Sequence, residues 1–331
     1  MTEKEKLIQC ISRLSDEHIA TLLDAVKLLL NDTESDLIRI CPYCGSAEII
    51  KFGHKRGKQR FFCKHCGRTF IPTTHTIMSN SHYPKNVWDA AISYTLGGDS
   101  ISFAADNLGM SHNAMFQMRH KILTALQETE EFRTVCLGDV TELDETFVLD
   151  CYKGRPLDPS HGREARKHGA KAQKRGISNE YVCICTGVER KGNAYAQTLN
   201  RAKPSGEELK EIFEGHIADG TLAICDGLRS YSALHEIADC TIEDYTQKTE
   251  NEGNFYHLNT VNNFHSFIKK RYDFYRGVAT KYINRYNAMF ALAYRNAAEC
   301  AKRLSRLLLE SGITNFYHSN RSICEVGLIA I

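Results

Sequence analysis

The 331 residues suffice for two or three domains with a real core, and the net charge of +2 excludes little because the charge is unevenly placed. Thirteen Cys, an odd number and mostly at scattered spacings, exclude a disulfide framework and fit a reducing cytosol. No signal peptide opens the chain and no apolar run approaches the ~20 residues of a membrane span, so a soluble intracellular protein is expected.

Residues 1–35 read as a helical segment. Ile19, Leu22, Leu23, Val26, Leu29 and Leu30 fall on one helical face behind Ser15 as N-cap, to pack on a neighbouring domain or a second protomer. Residues 36–75 carry a stronger signal. Cys41 and Cys44 are followed, with eighteen residues between, by Cys63 and Cys66, the spacing of a zinc ribbon. Gly45 and Gly67 follow the two pairs directly, where a knuckle turn needs positive φ. From Cys41 to Phe70 there are seven Lys or Arg, Arg60 among them, against the single acid Glu48, and four Phe are interleaved. So small a module is folded by its metal, and its basic face suits a phosphate backbone; a zinc-stapled spacer or protein-binding knob is the alternative.

Residues 80–130 predict three helices: Pro84 to Gly98, Ser100 to Leu108, and one opened by Ser111 after a Gly109 turn. Met115, Met118 and Ile122 share a face of the third, with Asn113, Gln117, His120 and Lys121 projecting away from it. This is the pattern of a helix-turn-helix, in which Asn and Gln near the start of the last helix can pair with adenine; an ordinary helical hairpin is the other reading.

Residues 138–310 change character. Val140–Leu149 predicts a strand, Lys153 to Arg175 holds eight Lys or Arg against two acids, and 181–189 and 194–199 form a hairpin across Arg190-Lys191-Gly192-Asn193. A helix over 204–217, a strand at 221–225, a helix at 231–238, a strand at 241–245 and a helix from Asn262 follow, with a tail over 311–331. Three hairpin-linked strands followed by βα units give an α/β fold with a mixed sheet, the ribonuclease-H-like topology.

Asp144 lies within the strand run Val-Thr-Glu-Leu-Asp-Glu, and Asp226 ends the run Leu-Ala-Ile-Cys. Neighbouring strands would bring the two carboxylates together, the donor set that Mg²⁺ or Mn²⁺ takes for phosphoryl transfer. Strict alternation sends Glu145 to the opposite face. With thirty-five residues between, Asp226 is followed by Asn262, where a third ligand is expected, with Lys269 two helical turns on along the same face. His257 and His265 flank Asn262, as phosphate contacts or as packing and capping residues.

Three stretches, Cys41–Phe70, Leu143–Phe147 and His257–Lys269, with Cys225-Asp226-Gly227 between the last two, resemble the zinc-ribbon insertion-sequence transposases of the DDE type, the ISXO group. The resemblance implies Asp144, Asp226 and Asn262 as ligands of catalytic magnesium or manganese, and Lys269 on a phosphate near the cleaved bond. It further implies a structural zinc, and double-stranded DNA as partner, at the element's terminal inverted repeats and at the target. Assembly on DNA as a homodimer or larger, in a prokaryotic cytoplasm at the nucleoid, goes with it. Asn262 departs from the Glu usual at its position, matching a branch that has Asn followed by the same Lys. An amide keeps a ligand oxygen but no charge and cannot act as a general base. A DNA-binding regulator descended from an inactive transposase is the rival reading.

Overall fold

The computed structural model describes residues 40–55, 57–151, 153, 180–200, 203–247, 255–294, 297–310, 312 and 314–325. The helix expected at 16–30 and the basic segment beyond Lys153 lie outside the described residues. The described chain divides into two compact units, 40–81 with 309–317, and 82–308 with 318–325.

The first unit is built on an antiparallel sheet of β1 (Ile49–Lys55), β2 (Lys58–Cys63) and β3 (Thr69–Phe70), with β2 central. Around the thiols a small cluster gathers Cys41, Phe61, Cys63 and Phe70, with Ile49 and Cys66 against them, while Ile77, Met78 and Phe316 are buried elsewhere in the unit. The cluster around the thiols is too small to order the knuckles without a staple. Every residue of β1 beyond Ile49 is exposed.

The second unit opens with α1 (Lys85–Gly97), α2 (Ile101–Asn107), α3 (His112–Glu128) and the short α4 (Glu130–Arg133). Ser100 and Ser111 cap α2 and α3, each hydroxyl accepting from the backbone N–H three residues on. A five-stranded sheet follows: β4 (Val140–Leu149), β5 (Tyr181–Glu189), β6 (Ala194–Gln197), β7 (Leu222–Cys225) and β8 (Thr241–Asp244), in the order β6-β5-β4-β7-β8. The first three strands are an antiparallel meander, while β7 runs parallel to β4 and β8 parallel to β7. This is the ribonuclease-H-like topology. Tyr-Val-Cys-Ile-Cys of β5 is buried on both faces after its first residue, as a strand covered on both sides requires.

Helix α5 (Gly206–Phe213) starts with a capping box between Ser205 and Glu208. Residues 229–236 wind as a 3-10 segment where the sequence suggests an α-helix, with Tyr231 N–H closing on the Leu228 carbonyl only three residues back. Helix α6 (Asn259–Phe274) begins three residues earlier than the sequence suggests, packs on β4 and β5, and buries Val261, Phe264, His265, Ile268 and Tyr272. Helix α7 (Ile283–Ala293) is covered by α3 on one side and β6 on another, and α8 (Ala297–Leu309) closes the order. No helix among the described residues is long and apolar enough to cross a membrane.

Candidate active site

Strand pairing places the two aspartates. The parallel β4–β7 register runs Val140↔Leu222, Thr141↔Ala223, Glu142↔Ile224 and stops. Continued two positions, it sets Asp144 beside Asp226, one residue past the end of β7. There the sheet opens, since β4 runs on to Leu149 without β7. Gly227 makes the turn with φ +79°, and a Cβ there would stand 2.3 Å from Asp244 Oδ2, so only glycine fits. One oxygen each from Asp144, Glu145 and Asp226 lies within 4.8 Å of the other two.

Glu145 in this cluster corrects the sequence expectation. It leaves the strand on the face opposite Asp144, and strict alternation would carry it away. The gap beside β4 lets both side chains curl in: Asp144 Oδ1 accepts from the Glu145 N–H (2.8 Å), and the hydroxyl of buried Tyr231 donates to Glu145 Oε1 (2.6 Å). Burial, with the neighbouring carboxylates adding to it, pushes Glu145 up to about 7; burial, then Asp226, pushes Asp144 up to about 6. Lys269 and Lys203 pull Asp144 back toward its ionised form, which puts Lys269 within electrostatic reach of the carboxylates.

Helix α6 contributes His265, which is 5% exposed. Thr186 Oγ1 donates to the Asp144 carbonyl (2.7 Å) and therefore accepts from His265 Nε2 (2.7 Å). That fixes the proton on Nε2 and leaves Nδ1 bare, 3.7 Å from Asp144 Oδ2. Two lone pairs then face each other, a repulsion that a proton on Asp144 or a cation relieves. Burial, with the charge of Lys269, holds His265 down at about 4, so the ring is neutral.

Glu142, with its side chain fully buried, is a residue the sequence reading passed over. Its carboxylate accepts from the backbone N–H of Thr260 (2.7 Å) and Val261 (3.0 Å), from Thr260 Oγ1 (3.0 Å) and from Arg190 Nε (2.7 Å). An anion on the first amides of α6 satisfies orphan donors and complements the helix dipole. Glu142 and Asp144, two apart on β4, share a face, so one strand grips the helix and aims its carboxylate beside it. In sequence it is one of three acids in β4, and it is distinguished only by lying in the buried stretch Thr141–Leu143.

Asn262 is exposed on the first turn of α6, its side chain hydrogen-bonded to none of the described residues, and Lys269 is exposed further along. His257 Nδ1 lies 3.3 Å from Glu142 Oε1 and belongs to the helix clamp.

Among the residues expected to meet DNA, Asn113 is exposed and Gln117 and Lys121 are half-buried, with burial lowering the Lys121 pKa. His120 does not project outward. It is 1% exposed, with Tyr282 at 4.2 Å and Phe116 at 4.4 Å between ring centroids, and Arg285 Nη1 3.2 Å from its Nδ1. Helix α3 is buried on more sides than its methionine face alone, because α7 packs against it. Burial and the charges of Arg285 and Arg119 push His120 down to about 3. In the first unit Arg60 is half-buried, donating from Nε to the Phe52 carbonyl and stacking 4.8 Å above that exposed ring.

The four cysteines also converge. Cys41 Sγ lies 3.7 Å from Cys66 Sγ, and Cys44 Sγ 3.7 Å from Cys63 Sγ. A tetrahedral ion with sulfurs at about 2.3 Å has an S···S edge of about 3.8 Å, so the cluster fits zinc. Gly45 and Gly67 turn each knuckle at φ +74° and +70°.

Residues 137–296 match the family model of the ISXO2-like transposase domain. A curated relative, an uncharacterized protein in transposable element ISH50 of Halobacterium salinarum, is 23% identical over 276 residues, covering 82% of this chain and 91% of its own. Two solved structures, a pre-cleavage Mos1 transpososome and a Mos1 strand transfer complex, align at 9% and 11% identity with TM-scores of 0.25 and 0.27. Each alignment covers 62% of this chain, and 73% and 71% of theirs.

Proposed function

We infer, from a chain that belongs to the insertion-sequence transposases through its ISXO2-like transposase domain, that DNA phosphoryl transfer takes place where Asp144 and Asp226 meet. The protein is a DNA transposase. The single observation supporting this location is the convergence of the two carboxylates at the open end of β7, inside the matched domain.

Asp144 and Asp226 would hold Mg²⁺ or Mn²⁺, which when bound activates the attacking oxygen and stabilises the leaving one. Lys269, exposed and within reach of Asp144, contacts a phosphate beside the scissile bond. Asn262 would offer an amide oxygen to the ion or its water, but an amide takes up no proton and cannot serve as the base. Thr186 and His265 hold Asp144 in place. Cleavage uses water, strand transfer uses the freed 3′ hydroxyl, and no covalent protein intermediate is involved. Cys41, Cys44, Cys63 and Cys66 would hold a structural zinc. The exposed basic strand β1 with Arg60, and Asn113, Gln117 and Lys121 of α3, are the surfaces for the terminal repeats, the complex forming as a dimer or larger on DNA.

The test incubates the full-length protein with Mn²⁺ and DNA carrying its flanking ends, then maps the cut strands. Wild-type protein nicks at the element ends. Asp226→Ala binds the same DNA with its cleavage reduced at least about a hundredfold. Substantial cutting by Asp226→Ala would refute the location; binding without cutting by the wild type would favour a regulator.

A further inference from the structure

Resting on that reading of the site, we propose that Glu145 supplies the third carboxylate of the catalytic metal site, the role that the neutral Asn262 leaves open.

The helix position from which a third acid would be expected carries an amide, exposed and outside any hydrogen bond to a described side chain. The sheet provides a carboxylate instead. Glu145 follows Asp144 directly, and its oxygen falls within 4.8 Å of ligand atoms from both Asp144 and Asp226. An octahedral ion with oxygens at about 2.1 Å spaces adjacent ligands by about 3 Å and opposite ones by about 4.2 Å, so the three carboxylates need close by little to share one cation. Tyr231, 1% exposed, ties one Glu145 oxygen in place, and a carboxylate has further lone pairs to offer. None of the three makes a salt bridge to Lys or Arg among the described residues, the nearest ring nitrogen being the bare Nδ1 of His265. Lys269 and Lys203 act on these carboxylates only from beyond salt-bridge distance, so no side-chain cation among the described residues sits in contact with the three, and a divalent ion supplies that contact charge. The site thus keeps the formal charge of a three-acid centre, with one acid moved from helix to strand.

The test is Mn²⁺ binding to the full-length protein, zinc-loaded and without DNA, followed by the electron paramagnetic resonance of free Mn²⁺. Wild-type protein binds saturably. Glu145→Gln weakens binding about tenfold or more, comparably to Asp226→Asn, whereas Asn262→Ala changes it less than about twofold. If Glu145→Gln fails to retain its fold by circular dichroism, Glu145→Asp replaces it, keeping the charge while retracting it by one methylene and weakening binding about threefold or more. Wild-type affinity in the folded Glu145 variant, or a tenfold loss in Asn262→Ala alone, overturns the proposal. So does absence of saturable Mn²⁺ binding by the wild type. Mn²⁺ binding in the expected pattern by a protein that cuts no DNA would overturn the transposition chemistry and leave the role of Glu145 standing.

Discussion

Asp144 and Glu145 keep their protons to higher pH than ordinary carboxyls do. Their usual values are 3.8 and 4.5, against about 6 and about 7 in the fold. Between those limits the folded protein binds protons that the unfolded chain has released. The stability this contributes is full below about pH 4 and is lost as pH rises through the folded values near 6 and 7. For Glu145 it amounts to on the order of 3 kcal/mol at about 1.4 kcal/mol per unit, less whatever coupling with Asp144 removes. His120 and His265, pushed down to about 3 and about 4, act with the opposite sign, losing stability as pH falls. The difference between two proteins isolates the carboxylate. Metal-free Glu145→Gln should gain about 2 kcal/mol relative to wild type between pH 5 and pH 8, read from urea unfolding. A difference that stays flat with pH would place the Glu145 proton elsewhere. Mn²⁺ should remove the penalty in wild type at pH 8, because it takes the place of the proton.

Between elements, the clamp of β4 on α6 is the contact on which the site depends. Glu142→Ala would strand the Thr260 and Val261 amides and the Arg190 guanidinium, and breaking a buried pair from one side costs about 3–5 kcal/mol. Glu142→Gln keeps an acceptor and should lose less than half as much. Since α6 also carries His265 and Lys269, the Gln variant should bind DNA normally while strand transfer falls about tenfold. Equal loss of binding and transfer would make the clamp a matter of stability alone. The strands that build the site were legible in the sequence: Val140–Leu149 and Tyr181–Glu189 occur with the bounds that their β-branched runs suggest. So was the meeting of Asp144 with Asp226, which follows from strand order. Glu145 was not legible, because alternation describes a strand paired on both sides and β4 has lost one partner there. Nor was the burial of His120, since periodicity finds the first packed face of a helix but not the second one, covered by the distant α7.

For the whole molecule, the two units make separable demands on metal. In the first, the ribbon packs on a small cluster centred on the thiols, so one zinc per chain is expected by elemental analysis, and Cys63→Ser should lose it. The ribbon sheet should melt with it, while the second unit keeps its secondary structure. That first unit is also discontinuous in sequence. Residues 309–317 belong to it, with Phe316 buried and its N–H donating to the His75 carbonyl (2.7 Å). Synthesis therefore runs against the folding of this unit. Its knuckles leave the ribosome early, yet its last piece emerges only after some 230 further residues have been made. A chain ending at Leu308 should still take up zinc, but with the seat of Phe316 bare it should bind a hydrophobic dye that the full chain does not. The segment that begins the described fold is finished by one translated some 230 residues later.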